Sequence, residues 1–98
     1  MMLPHIRPYH EGATAPPHSF YIIREGSKAG MPCFKPKENC FIVACTYKHY
    51  FDFFFSLIYG LYLNKKFKIH HRGIKKPFVS QEEIRNLIRQ VAPALFYN

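Results

Sequence analysis

The stretch CFIVACTYKHYFDFFFSLIYGLYL, residues 40–63, joins a short apolar run to a long aromatic one. Residues 40–45 are a continuous apolar run of the length that a buried strand needs. From residue 47 onward, apolar side chains recur at spacings of three and four, and polar ones recur at four on the opposite side, which predicts an amphipathic helix. Thr46 is the predicted N-cap, and Asn64 with the two lysines after it suits the C-terminal end.

The apolar part of this predicted helix is too short to cross a membrane. A spanning helix needs about 20 apolar residues, whereas residues 50–63 supply fourteen, and Asp52 interrupts them. Extending the run toward residue 41 adds Lys48 and His49, which are costly in lipid. We therefore interpret the stretch first as a core helix, second as a helix lying on a membrane surface, and last as a span.

The segments on either side of this helix carry weaker signals. Residues 19–25, SFYIIRE, are β-branched and aromatic and predict a strand. Glycines and prolines in residues 26–32 predict a loop. Residues 67–71, FKIHH, alternate apolar and polar side chains, as a half-buried strand does. Residues 1–17 contain four prolines and are expected to form a flexible arm, which leaves residues 18–98 as a single small domain.

A second helix has the clearest local signal. Within VSQEEI, residues 79–84, Ser80 and Glu83 match a capping box. The helix is predicted from residue 81 to about residue 91, and Pro93 is expected to end it. The order strand, strand, helix, strand, helix predicts a small α+β fold, in which a mostly antiparallel sheet is packed by the aromatic helix and by this capped C-terminal helix.

The positive charge of the chain is concentrated in one segment. The 98 residues have a net charge of +8, and no acidic residue lies between Asp52 and Glu82. Basic side chains neutralise the phosphates of DNA or RNA, and Phe67, His70 and His71 are able to stack on bases. A solvated basic loop is the alternative interpretation. The candidate nucleic-acid-binding residues are Lys65, Lys66, Lys68, Arg72, Lys75 and Lys76.

Three cysteines and a histidine have a spacing that zinc proteins also use. Cys33, Cys40, Cys45 and His49 are arranged as C-x6-C-x4-C-x3-H, which is similar to the spacing of CCCH zinc fingers, and zinc accepts such a ligand set. On a strand, however, Cys40 and Cys45 point to opposite faces, and free cysteine is among the most buried residue types. We therefore expect three buried thiols, with a zinc site as the alternative.

Neither catalysis nor a cofactor is predicted. The six acidic residues are scattered, and no nucleophile elbow, cysteine-enzyme signature or phosphate-binding loop occurs. An odd number of cysteines argues against a closed disulfide framework, and the first 17 residues contain no apolar signal segment. We therefore expect a non-enzymatic protein without a cofactor, in a reducing cytoplasm.

Four short motifs carry a resemblance to a known family: a glycine–glycine–proline loop, an Asn-Cys-Phe strand, a Gly-Leu aromatic helix and a Gly-x-x-x-Pro-Phe segment. They are formed by Gly26, Gly30 and Pro32; Asn39, Cys40 and Phe41; Gly60 and Leu61; Gly73, Pro77 and Phe78. With these motifs, residues 20–88 resemble a family of small uncharacterised proteins from gut bacteria, so the resemblance implies no functional residues. The latter half is also similar in layout to target recognition domains of type I restriction specificity subunits, which implies DNA binding.

Two classes of function are compatible with these observations. One is a non-catalytic nucleic-acid-binding accessory protein that uses the basic segment. The alternative is a protein-interaction module, in which the aromatic helix surface docks a protein partner or a second copy of the chain. Affinity for nucleic acid falls steeply with salt, whereas apolar docking depends on salt much less, so the salt dependence of binding separates the two.

Overall fold

The computed structural model describes residues 2–71 and 76–96, and within these ranges the chain forms one antiparallel sheet and two helices. In the sheet the strand order is β1-β4-β2-β3, and every neighbouring pair is antiparallel. The predicted small α+β fold is therefore confirmed. The elements are β1 (His5–Pro8), β2 (Ser19–Ile22), β3 (Pro32–Cys33), β4 (Phe41–Ala44), α1 (Lys48–Leu63) and α2 (Gln81–Phe96).

Both faces of the sheet are covered by apolar side chains. On one face, Phe20 of β2 lies opposite Val43 of β4, and both are fully buried against the helices. On the other face, Ile42 is buried beside Tyr21, whose ring Tyr9 meets edge-on with 5.3 Å between the ring centroids. A strand that is buried on both faces has apolar side chains on both, so polar and apolar residues do not alternate along it. This double burial explains why β4 appears in the sequence as a continuous apolar run.

Helix α1 packs over β2 and β3 with one face. Its fully or nearly buried residues are Phe54, Leu57, Ile58 and Leu61. The predicted N-cap was wrong: the capping position is Tyr47, with extended φ and ψ of −130° and 158°, and no side chain bonds the free N–H groups there. Among the described residues, neither helix is long and apolar enough to cross a membrane.

Helix α2 begins at the predicted residue but departs from prediction in two ways. It continues through Pro93 to Phe96, and Pro93 lies on an exposed side in the last turn. The predicted capping box was also wrong. Glu83 does not turn back to Ser80; its Oε1 lies 2.8 Å from Nε2 of His70, and its Oε2 has no hydrogen-bond partner among the described residues.

Strand β1 lies inside the segment that was expected to be a flexible arm. It pairs with β4, and its Ile6 side chain is only 2% exposed. Helix α2 fixes this edge strand, because Gln81 Nε2 and Arg85 Nη2 both donate to the carbonyl oxygen of Ile6, at 3.0 and 2.8 Å. The sheet therefore extends beyond the domain boundary that the prolines suggested.

The strand predicted at residues 67–71 is not formed. His70 makes a single antiparallel bridge with Phe78, closed by backbone hydrogen bonds of 2.8 and 3.0 Å. A ladder needs a neighbouring strand along several residues, and within residues 2–71 and 76–96 this segment pairs at one residue, His70. The alternation of apolar and polar side chains in this segment instead accompanies irregular backbone.

Candidate nucleic-acid interface

The basic segment, residues 65–76, begins at a tight reversal of the chain after α1. The N–H of Lys65 donates to Tyr62 O at 3.1 Å, and the N–H of Lys66 donates to Leu61 O at 2.9 Å. These two bonds are those of a Schellman motif, in which the residue after the cap takes a left-handed conformation. Glycine usually occupies that position, but here it is Lys65, with φ of 55°.

Phe67 anchors the basic segment in the core. Its side chain is 7% exposed, and a Cβ added at Gly30 would lie 2.9 Å from its Cδ2 atom. The ring therefore fills the space that the missing side chain of Gly30 leaves open. The Phe67 side chain points inward, so it is unavailable for stacking on a base.

The two histidines of the segment have different environments. His70 is half-buried, bonded to Glu83, and its ring stacks on Phe78 with 5.2 Å between centroids. His71 is exposed. Of the three side chains considered as stacking partners for bases, only His71 is thus accessible. Contacts of the segment with nucleic acid would fall mainly on phosphates.

Four of the six candidate lysines and arginines lie within the described residues, and all four are exposed: Lys65, Lys66, Lys68 and Lys76. Arg72 and Lys75 lie outside the described residues. Within the ranges that the structure describes, none of the four lysines forms an ion pair, whereas Lys48 is paired with Asp52 at 3.0 Å. Their charges are therefore open to an external anion.

Two grooves flank the segment and separate its lysines. The apolar groove has a volume of about 580 Å³ and has Lys65 and His71 among its lining residues. The α2 groove, of about 340 Å³, is lined by Lys66 and Lys68 together with residues of α2. Phe67 contributes to both. The apolar side chains of the first groove are Ala29, Tyr62, Leu63, Phe67, Ile69 and Pro77.

The four residues of the zinc alternative are not brought together. Cys33 and Cys40 pack on the second face of the sheet, Cys45 lies in the core on the helix face, and His49 is exposed beside Tyr50. No three potential metal ligands are grouped anywhere in residues 2–71 and 76–96. All three cysteines are free thiols. Burial raises the pKa of each of them, that of Cys45 to about 11.

An exposed aromatic surface lies outside the basic segment. The ring of Phe34 is 66% exposed and stacks on Phe55 with 4.4 Å between centroids and 4° between planes. Farther along α1, Tyr59 is 39% and Leu63 is 63% exposed. Phe34 follows the loop predicted at residues 26–32, and the sequence does not mark it as part of a surface. Its position between a cysteine and the basic KPK stretch gives no periodic signal.

The comparisons with known proteins add a family but no activity. A family model described as a family of unknown function, DUF6943, matches residues 6–98. This agrees with the expected resemblance to an uncharacterised family. Neither a curated protein nor a solved structure matches the chain.

Proposed function

We propose that this chain, which belongs to the family of unknown function DUF6943, is a non-catalytic accessory protein that binds nucleic acid through its basic segment. The observation that carries the proposal is the set of four exposed lysine ammonium groups with no acidic partner among the described residues. When unpaired cations of this kind neutralise phosphates, the nucleic acid releases the counterions that were condensed on it.

The proposed contact is with the sugar-phosphate backbone and not with the bases. Phe67 is buried and His70 is bonded to Glu83, so the segment offers few groups that read base edges. Phosphate contacts position a protein on nucleic acid without carrying sequence information. We therefore expect binding with little sequence preference, by Lys65, Lys66, Lys68 and Lys76 together with Arg72 and Lys75. A bacterial cytoplasm is part of the same proposal.

The salt dependence of binding tests the proposal. Binding of a fluorescent oligonucleotide, single- or double-stranded, is measured by anisotropy between about 50 and 200 mM salt, where about four phosphate contacts give a log–log slope near −3 to −4. Replacing Lys66 and Lys68 by Gln should flatten the slope by about 1.5. Thermal stability should change little, because exposed charges contribute little to folding.

A matched variant separates a local contact from the general effect of net charge. Lys35 and Lys37 are also exposed, so replacing both by Gln removes the same charge from another part of the surface. If the basic segment is the interface, this control keeps a slope within about 0.5 of the wild type. Equal flattening by the two pairs, or no binding at about 50 mM salt with either strand form, would contradict the proposal.

The second candidate function is docking of a protein partner or a second copy on the exposed aromatic surface. It is favoured by the 66% exposure of Phe34, whose parallel stacking on Phe55 presents one broad apolar face. Sedimentation velocity over a range of protein concentration measures self-association. We expect Phe34→Gln to reduce it at both low and high salt, since burial of aromatic rings is not screened by ions. If the chain stays monomeric at all concentrations, docking of a second copy is excluded, and docking of a different protein is the form of this candidate that is left.

A further inference from the structure

The apolar groove has the size and the construction of a small-molecule site. Its volume of about 580 Å³ lies within the range of about 300–1,000 Å³ that ligand pockets span. The loop on one side is held in place by two backbone hydrogen bonds: Gly26 N–H donates to Pro77 O at 2.8 Å, and Gly30 N–H donates to Ile23 O at 2.7 Å. The groove is thus formed by the fold itself before any ligand arrives.

Large apolar side chains of this groove remain open to solvent. Leu63 is 63% exposed and Ile69 is 38% exposed, and Tyr62 and Phe67 line the same groove. Neighbouring exposed apolar side chains in a concave surface mark a binding site more often than single ones do. Ser27 is the main neutral polar side chain in the lining, which leaves few groups to recognise a polar ligand body such as a nucleobase.

The charge at the groove is positive. Lys65 and His71 contribute to the lining, and no acidic side chain of the described residues does. Lys65 keeps a left-handed backbone, with φ of 55°, at a position that glycine usually occupies. Its ammonium group has no acidic partner among the described residues. An apolar body carrying one negative charge complements this arrangement.

We infer that the apolar groove binds a small amphiphilic carboxylate, an aliphatic chain with a single anionic head. The chain lies against Leu63, Ile69 and Tyr62, and the carboxylate contacts the ammonium of Lys65. This site shares Lys65 with the proposed nucleic-acid contact, but the test of that contact replaces Lys66 and Lys68, which line the α2 groove. Either proposal can therefore fail while the other stands.

Calorimetric titration of the full chain with dodecanoate, kept below its critical micelle concentration, tests the inference. We expect one saturable site. Lys65→Asn should weaken binding about tenfold or more, since it removes a charged hydrogen bond while asparagine tolerates the left-handed backbone. Leu63→Gln, at an exposed position, should weaken binding by removing apolar contact. Lys35→Asn, which lowers the net charge equally away from the groove, should leave the affinity unchanged.

The same chain with a cationic head, dodecyltrimethylammonium, should bind at least tenfold more weakly than dodecanoate. Circular dichroism spectra and melting curves of each variant confirm that the fold is retained. Three results would overturn the inference: no saturable binding of monomeric dodecanoate, equal affinity for the cationic amphiphile, or wild-type affinity in both the Lys65→Asn and Leu63→Gln variants. Binding only to micelles or to lipid vesicles would also overturn it and favour a membrane-surface interaction.

Discussion

Two glycines of the loop between β2 and β3 form a matched pair for testing how Phe67 is packed. Gly30 and Gly26 have nearly equal φ values, +95° and +100°, so alanine at either position meets the same unfavourable backbone region. They differ in their surroundings. An added Cβ at Gly30 lies 2.9 Å from Phe67 Cδ2, whereas at Gly26 it meets nothing within 4 Å. Only Gly30→Ala therefore adds a steric conflict with the core.

The expected magnitudes follow from these two contributions. A residue with a Cβ at positive φ destabilises the fold by about 1–2 kcal/mol. Alanine also lowers the conformational entropy of the unfolded chain, which stabilises the fold by about 0.4–1 kcal/mol. Gly26→Ala should therefore lower the free energy of unfolding by about 1 kcal/mol. Overpacking a core adds about 1–3 kcal/mol, so Gly30→Ala should lower it by about 2–4 kcal/mol. The difference between the variants is the cost of moving the Phe67 ring.

Urea unfolding followed by circular dichroism measures both variants against the wild type. A smaller side chain at residue 67 should relieve the conflict, so Phe67→Leu should cost less in the Gly30→Ala background than alone, with a coupling energy of about 1 kcal/mol or more. Equal destabilisation by Gly26→Ala and Gly30→Ala, or additive effects in the double variant, would refute the packing of Phe67 against Gly30. The orientation of the basic segment would then need revision.

Three further predictions concern other parts of the molecule. Gly60→Ala should stabilise the fold by about 0.5–1 kcal/mol in urea unfolding, because Gly60 lies within α1 and an added Cβ meets nothing within 4 Å; a loss of stability would show that this helix position is crowded. Cys45 has a folded pKa of about 11, so the unfolded thiol ionises first, and stability should fall by about 1–2 kcal/mol from pH 9 to 11. Cys45→Ala should remove that part of the pH dependence; an unchanged profile would contradict the burial of the thiol. Arg85→Ala removes a hydrogen bond to Ile6 O and should speed amide hydrogen exchange in β1 relative to β4, with about 1–2 kcal/mol of lost stability; uniform exchange would show that α2 does not fix this strand.

The elements that were predicted well are those with dense local patterns. Strand β4 and helix α1 have consecutive or periodic apolar side chains, and the start of α2 is marked by acidic residues before an apolar stripe. Such patterns reflect backbone geometry, which repeats over a few residues and is therefore visible in the sequence. Strand β1 was missed because Ile6 is its one buried side chain, and a single apolar residue has no period.

Two errors, one at the start of α2 and one in the strand predicted at residues 67–71, depend on contacts between distant parts of the chain. Glu83 had the right spacing for a capping box, but its Oε1 atom lies at hydrogen-bond distance from Nε2 of His70, thirteen residues earlier in the chain. Residues 67–71 had the right alternation for a strand, but among the described residues they pair through the one bridge between His70 and Phe78. For Glu83, a partner distant in sequence replaced the local one that the pattern implied, and for residues 67–71 the neighbouring strand that the pattern needs is absent from the described residues.

The sequence by itself determined the α+β class, the positions of the main strands and helices, and the concentration of positive charge after α1, because each of these depends on composition or on short-range periodicity. Only the tertiary structure decided that Phe67 points inward beside Gly30, and that Lys65 belongs to a different groove from Lys66 and Lys68. These features depend on where the loop between β2 and β3 and the start of α2 meet the basic segment. In an irregular segment the backbone geometry does not repeat, so the sequence does not indicate which way each side chain points. Contacts between distant parts of the chain decide that direction instead.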